Sequence, residues 1–74
     1  MTAETKARDL LAEALGLPGD QIDADTDVDT CPNWDSLAHF RVVAAIEEAI
    51  ERPLEPMEIL ELRGYPDVVT LVAS

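Results

Sequence analysis

The segment from Ser36 to Glu51 carries the longest uninterrupted helical pattern in the chain, and the rest of the fold must be arranged around it. His39, Val42, Val43, Ile46 and Ile50 fall on one side of a helix with 3.6 residues per turn, while Arg41, Glu48 and Glu51 fall on the other. Asp35 stands at the N-cap position, where a carboxylate accepts from the free amides of the first turn. Pro53 ends the pattern by forcing Arg52 out of helical geometry.

A half-apolar helix of this kind needs partners. Ala7, Leu10, Leu11, Ala14 and Leu15 recur at i, i+3, i+4, i+7 and i+8, which predicts an amphipathic helix over 3–15. Thr2 caps its start, Glu4 suits its positive end, and Gly16 with Pro18 stops it. From Leu17 to Asp35 no periodicity is sustained; Pro18, Gly19, Pro32, Asn33 and a series of aspartates supply turn chemistry. This is a long loop, with Ile22 and Val28 as its anchors. Pro56 suits the first position of a short helix through Leu62, and Gly64 is expected to end it. Pro66 then opens a last helix. Val68, Val69, Leu71 and Val72 favour a strand by propensity, but no second β-rich run exists to pair with them. The expected fold is all-α: a single domain over 1–74, a four-helix bundle of three longer helices and one short one, with a long loop between helices 1 and 2.

Composition narrows the function. A chain of 74 residues buries only about 60% of its unfolded surface, so it supplies one small core and little scaffold for a deep catalytic pocket. With Trp34, Phe40 and Tyr65 as the only aromatic residues, aliphatic side chains must build that core. The net charge of −11 repels phosphate backbones and anionic lipid, which argues against nucleic-acid and membrane partners, and it favours a monomer that attracts basic proteins. Cys31 is alone, so no internal disulfide is possible, and no charged-then-apolar leader is present; a reducing, cytoplasmic setting is expected.

Ser36 occupies the first turn of the long helix. A serine there meets the positive end of the helix dipole and unpaired amides, a setting that stabilises a phosphate group attached to its hydroxyl. The same position is also that of an ordinary polar helix start.

Asp35-Ser36-Leu37 at the head of the second helix resembles the signature of acyl carrier proteins, in a chain of matching length. The resemblance extends over the long loop, the acidic run Val42-Val43-Ala44-Ala45-Ile46-Glu47-Glu48, and Arg52-Pro53-Leu54 leading to Pro56-Met57-Glu58-Ile59. It implies that the chain is a carrier and not an enzyme. Ser36 would take 4′-phosphopantetheine from coenzyme A through a phosphodiester made by a separate Mg²⁺-dependent phosphopantetheinyl transferase. The arm's thiol would then hold an acyl intermediate as a thioester. On the same resemblance Asp35 positions the Mg²⁺ and the turn during transfer, and Leu37 offers an apolar contact to partners. Acyl-loading and acyl-processing enzymes would be those partners, with Leu37, Arg41, Glu47 and Glu48 as recognition residues.

Three departures qualify the resemblance. Many relatives carry glycine two residues before the aspartate, where this chain has Asn33; Asn is the commonest substitute for Gly in a left-handed turn, which is the expectation here. Trp34 follows, read as a loop anchor packed on the core, with a flat surface beside the arm as the alternative. Ala38, His39 and Arg41 replace the acidic residues that fatty-acid carriers keep in these turns, so Arg41 reverses the local sign and is expected to reject some of their enzymes. Tryptophan before the triplet looks more like free-standing carriers of specialised pathways.

His39, one turn from Ser36, invites a nucleophile–base reading, but no third group or oxyanion hole is evident. An aminoacyl or peptidyl carrier remains the alternative cargo class. A Ca²⁺-binding module is the rival from another class, since Asp23, Asp25, Asp27 and Asp29 alternate as in an EF-hand loop. The register fails, because Val28 stands where Gly is needed and Trp34 where Glu is needed, and no resident metal is expected. Ala38, Ala44, Ala45 and Ala49 line the second helix with small side chains, which suits either close helix packing or room for an acyl chain.

Overall fold

A computed structural model describes residues 2–73. It contains helices α1 (Ala3–Leu15), α2 (Ser36–Ile50), α3 (Pro56–Glu61) and α4 (Tyr65–Ala73), with one 3₁₀ turn at Gly19–Gln21 in the long loop. The all-α reading holds, with three longer helices and one short one.

α1 forms where its apolar stripe predicts. Thr2 accepts from the Thr5 amide, and Gly16 ends the helix in the left-handed region at φ 69°, its N–H donating to the Ala12 carbonyl. Ala7, Leu11, Ala14 and Leu15 are buried, and they pack against Val42, Val43 and Ile46 of α2 and Val68 of α4 in one core. Leu11, Ile46, Leu62, Val42 and Val68 are its largest fully buried side chains. The β-branched run in α4 is helical, as the lack of a pairing partner requires, and Tyr65 fixes its start by donating its hydroxyl to the Glu4 carbonyl at 3.1 Å.

Two boundary expectations and one of backbone conformation are corrected. α2 stops at Ile50 because Glu51 takes the left-handed conformation at φ 59°, so the helix has already ended before Pro53 acts. Gly64 does not end α3: that helix stops at Glu61, with Leu62 extended as its C-cap. The glycine instead lets the chain pass close to the loop, since a Cβ there would lie 3.1 Å from Asp27 Cβ and 3.2 Å from the Thr26 carbonyl. Asn33, for its part, is not left-handed, because Glu51 is the only non-glycine residue with positive φ among those described. Its side chain donates to the Leu15 carbonyl at 3.1 Å, tying the loop to the open C-terminus of α1.

The loop is held by polar bonds at short intervals. Asp23 accepts from the Asp25 amide, and Asp27 from the amides of Asp29 and Thr30. Those bonds hold the Asp27 carboxyl below the ordinary carboxylate range. An isolated antiparallel bridge joins Asp27 to Gly64, where Val28 donates to the Arg63 carbonyl at 2.8 Å and Tyr65 to the Thr26 carbonyl at 2.9 Å. Ile22 is buried and Val28 half-buried, so both predicted anchors reach the core. The loop therefore arrives at α2 along a fixed path, and that path sets where Ser36 points.

Candidate functional site

Asp35 brings the chain into α2 in extended conformation, and its carboxylate accepts from the Ala38 amide at 2.9 Å. Its carbonyl accepts from His39 at 2.8 Å. Ser36 is thus the first helical residue, exposed, and nothing among the described residues accepts from its amide or that of Leu37. Two free amides and the positive end of a helix of 15 residues face whatever is bonded to the Ser36 oxygen. Leu37 is 61% exposed beside it.

Trp34 sits beneath this turn. It is buried to 4% exposure, as the loop-anchor reading expects, and its ring also lines an open cleft of about 540 Å³ with Val28, Asp35, Ser36, His39 and Phe40. The indole Nε1–H donates to His39 Nδ1 at 3.1 Å, with the ring centroids 6.3 Å apart. The other imidazole nitrogen, Nε2, lies 3.3 Å from the Ile59 carbonyl on α3. With both nitrogens engaged and no bond to the Ser36 hydroxyl, His39 is not placed to take the serine proton. Among the described residues, no side chain is hydrogen-bonded to this hydroxyl.

The remaining predicted residues divide between two places. Arg41 and Glu48 lie on the side of α2 that faces α1, lining an open groove of about 680 Å³ with Leu10, Ala44, Ala45 and Ala49. Glu47 is half-buried, and its carboxylate accepts from the Leu54 amide at 2.8 Å, fixing the chain after α2. Ala38 is buried against the core, whereas Ala44 is exposed, so the alanines do not form one continuous packed seam. Asp23 and Asp27 turn their carboxylates to backbone amides, and no group of three or more His, Cys, Asp or Glu side chains converges among the described residues.

Sequence reasoning missed Phe40, which is 72% exposed beside Leu37 and Ser36, together with exposed Met57 and Leu60 on α3. The signal was present for Phe40, which lies off the stripe of Val42, Val43 and Ile46. Leu37 and Phe40 place two exposed apolar side chains in the first turns of α2, and adjoining exposed apolar residues mark a contact surface more than single ones do. The Trp34–His39 bond had no signal at all, because five residues apart across a helix start is not a recognised spacing.

Comparison with protein families matches the chain to the phosphopantetheine attachment site family over residues 5–72. The chain belongs to this carrier family. No curated protein matches it with significant similarity. Members of the family are the sites of covalent 4′-phosphopantetheine attachment, are in general non-catalytic, and meet modifying and processing enzymes. This carrier domain therefore bears a 4′-phosphopantetheine arm.

Proposed function

We propose that Ser36 is the residue that takes the arm and that the cargo is an acyl group held as a thioester. The observation that carries this is the exposed hydroxyl at the first position of α2, with two unengaged amides and the Asp35 cap around it. A phosphodiester made there keeps a negative charge at the positive end of the helix, which favours the attached form. Only one other serine exists, Ser74, at the end of the chain. Asp35 keeps one carboxylate oxygen toward Ala38, leaving the other for Mg²⁺ during transfer.

The acyl assignment is supported by the strong acidity of a small chain and by the apolar side chains of Leu37 and Phe40 around the attachment point. The partners are then a phosphopantetheinyl transferase, an acyl-loading enzyme and acyl-processing enzymes, met by a cytoplasmic monomer that does no chemistry of its own. Leu37, Arg41 and Glu48 present side chains to such partners from α2.

Incubation with coenzyme A, Mg²⁺ and a broad-specificity transferase is expected to add one phosphopantetheinyl group per chain by intact mass, and none to Ser36→Ala. Equal modification of Ser36→Ala rejects the assignment. Loading the arm by an acyltransferase, in competition with an aminoacyl-adenylating enzyme, separates the cargo classes.

A further inference from the structure

Ser36 lines the cleft that Val28, Trp34, His39 and Phe40 enclose, whereas the larger groove between α1 and α2 does not include it. The walls of this cleft are set before anything enters. Val28 is fixed by its amide bond to the Arg63 carbonyl at 2.8 Å, and Trp34 by its amide bond to the Cys31 carbonyl at 3.0 Å and its indole bond to His39. Both imidazole nitrogens are engaged, so His39 adds ring carbon to the lining.

Phe40 is the wall that the core does not explain. It stands one helical turn after Ser36 on α2, where Cβ atoms are about 5–6 Å apart, and a helical side chain leans over the turn before its own Cα. The ring therefore lies toward the turn that carries Ser36, yet it is 72% exposed. The cleft volume of about 540 Å³ falls within the span of about 300–1,000 Å³ that small-molecule sites occupy.

We propose that this cleft seats the first carbon segment of the 4′-phosphopantetheine arm, with its gem-dimethyl group packed against Phe40, Val28 and the Trp34 ring; the inference rests on Ser36 as the attachment residue. The chemistry of the arm matches the lining in order. Its phosphodiester is bonded to the Ser36 oxygen at the free amides of the helix start. The next branch along the arm is the dimethyl carbon, whose methyl groups make no hydrogen bonds and gain by leaving water. The hydroxyl and amides that follow are polar and stay at the open mouth of the cleft. Phe40 is then a positioning residue: its ring favours one direction in which the arm leaves α2, while the thioester lies at the far end of the arm.

The test uses the full chain, loaded by a transferase from coenzyme A that is isotope-labelled in the gem-dimethyl group. The chain has one phenylalanine and one tryptophan, so their ring protons give unique NMR signals. In the loaded chain the dimethyl protons are expected to show nuclear Overhauser contacts with the Phe40 ring and the Val28 methyls, and to shift from their positions in free coenzyme A through the ring currents of Phe40 and Trp34. Phe40→Ala, loaded to completion, is expected to lower the docked population about fourfold, the fold-change that corresponds to the burial of one methylene. Phe40→Leu is expected to recover most of the contact with Val28. An arm located on Ser36 whose dimethyl protons keep their free positions and show no contact overturns the proposal and leaves the attachment residue standing. Contacts that persist unchanged in Phe40→Ala also overturn it, and an arm on another residue overturns both.

Discussion

α2 and α3 lie close in the chain and are held in different ways. α2 buries Ala38, Val42, Val43 and Ile46 over its length and is capped at both ends, by Asp35 and by left-handed Glu51. α3 buries no side chain completely: Ile59 packs partly on the core, and the Arg52–Glu58 pair, the Glu55 amide and the His39 bond add polar ties. Apolar burial carries no charge to titrate or to screen, whereas an exposed ion pair responds to both pH and salt. The helix that offers Ser36 is therefore the rigid one, and the helix beside it is the one that conditions can move.

The largest expected effect tests the packed side. Ile46→Ala, at a fully buried position, is expected to cost about 2–5 kcal/mol in denaturant unfolding, and Ile59→Ala on α3 less than half of that. Equal losses would break the contrast. Gly64→Ala comes next, at about 1–3 kcal/mol, because the new methyl must push apart the bridge that fixes the path after α3. Asp35→Ala is expected to cost about 1 kcal/mol by thermal unfolding, with Asp35→Asn recovering most of it, since Asn caps equally well.

Acid sharpens the other side. The Arg52 guanidinium, with help from the Glu55 amide, holds the Glu58 carboxyl down at about 2. A depressed carboxylate contributes stability that is full above its unfolded value, near 4.3, and fades as pH falls through that window toward about 2. The α3 amides are expected to lose protection there while those of α2 persist, and Glu58→Gln is expected to remove this acid step. The smallest effect belongs to Arg41→Glu, within about 0.5 kcal/mol in stability, because the side chain is exposed. Its consequence is expected in recognition, as faster turnover by a fatty-acid acyltransferase; unchanged turnover removes Arg41 from the specificity argument.

Most of the fold was legible because apolar periodicity and caps are local signals. The α1 stripe, the Asp35 cap and Pro56 at the head of α3 each act within one or two turns, and each lies where the sequence places it. What was illegible depends on distant neighbours. Asn33 was read through its backbone, but its side chain reaches Leu15, 18 residues back. Gly64 was read as a helix stop, but its need for glycine comes from Asp27, across the loop. The candidate site follows the same division. Asp35, Ser36 and Leu37 are contiguous and were visible, Phe40 was overlooked on the same helix, and the Trp34–His39–Ile59 chain arises only when three elements meet.

The most direct test of the carrier account is to locate the arm after transferase treatment by fragmenting the modified chain in a mass spectrometer. The account predicts a phosphopantetheinyl group on the peptide that contains Ser36, with release of the arm on fragmentation. A chain that stays unmodified, or an arm found on Ser74 or any other residue, would contradict it.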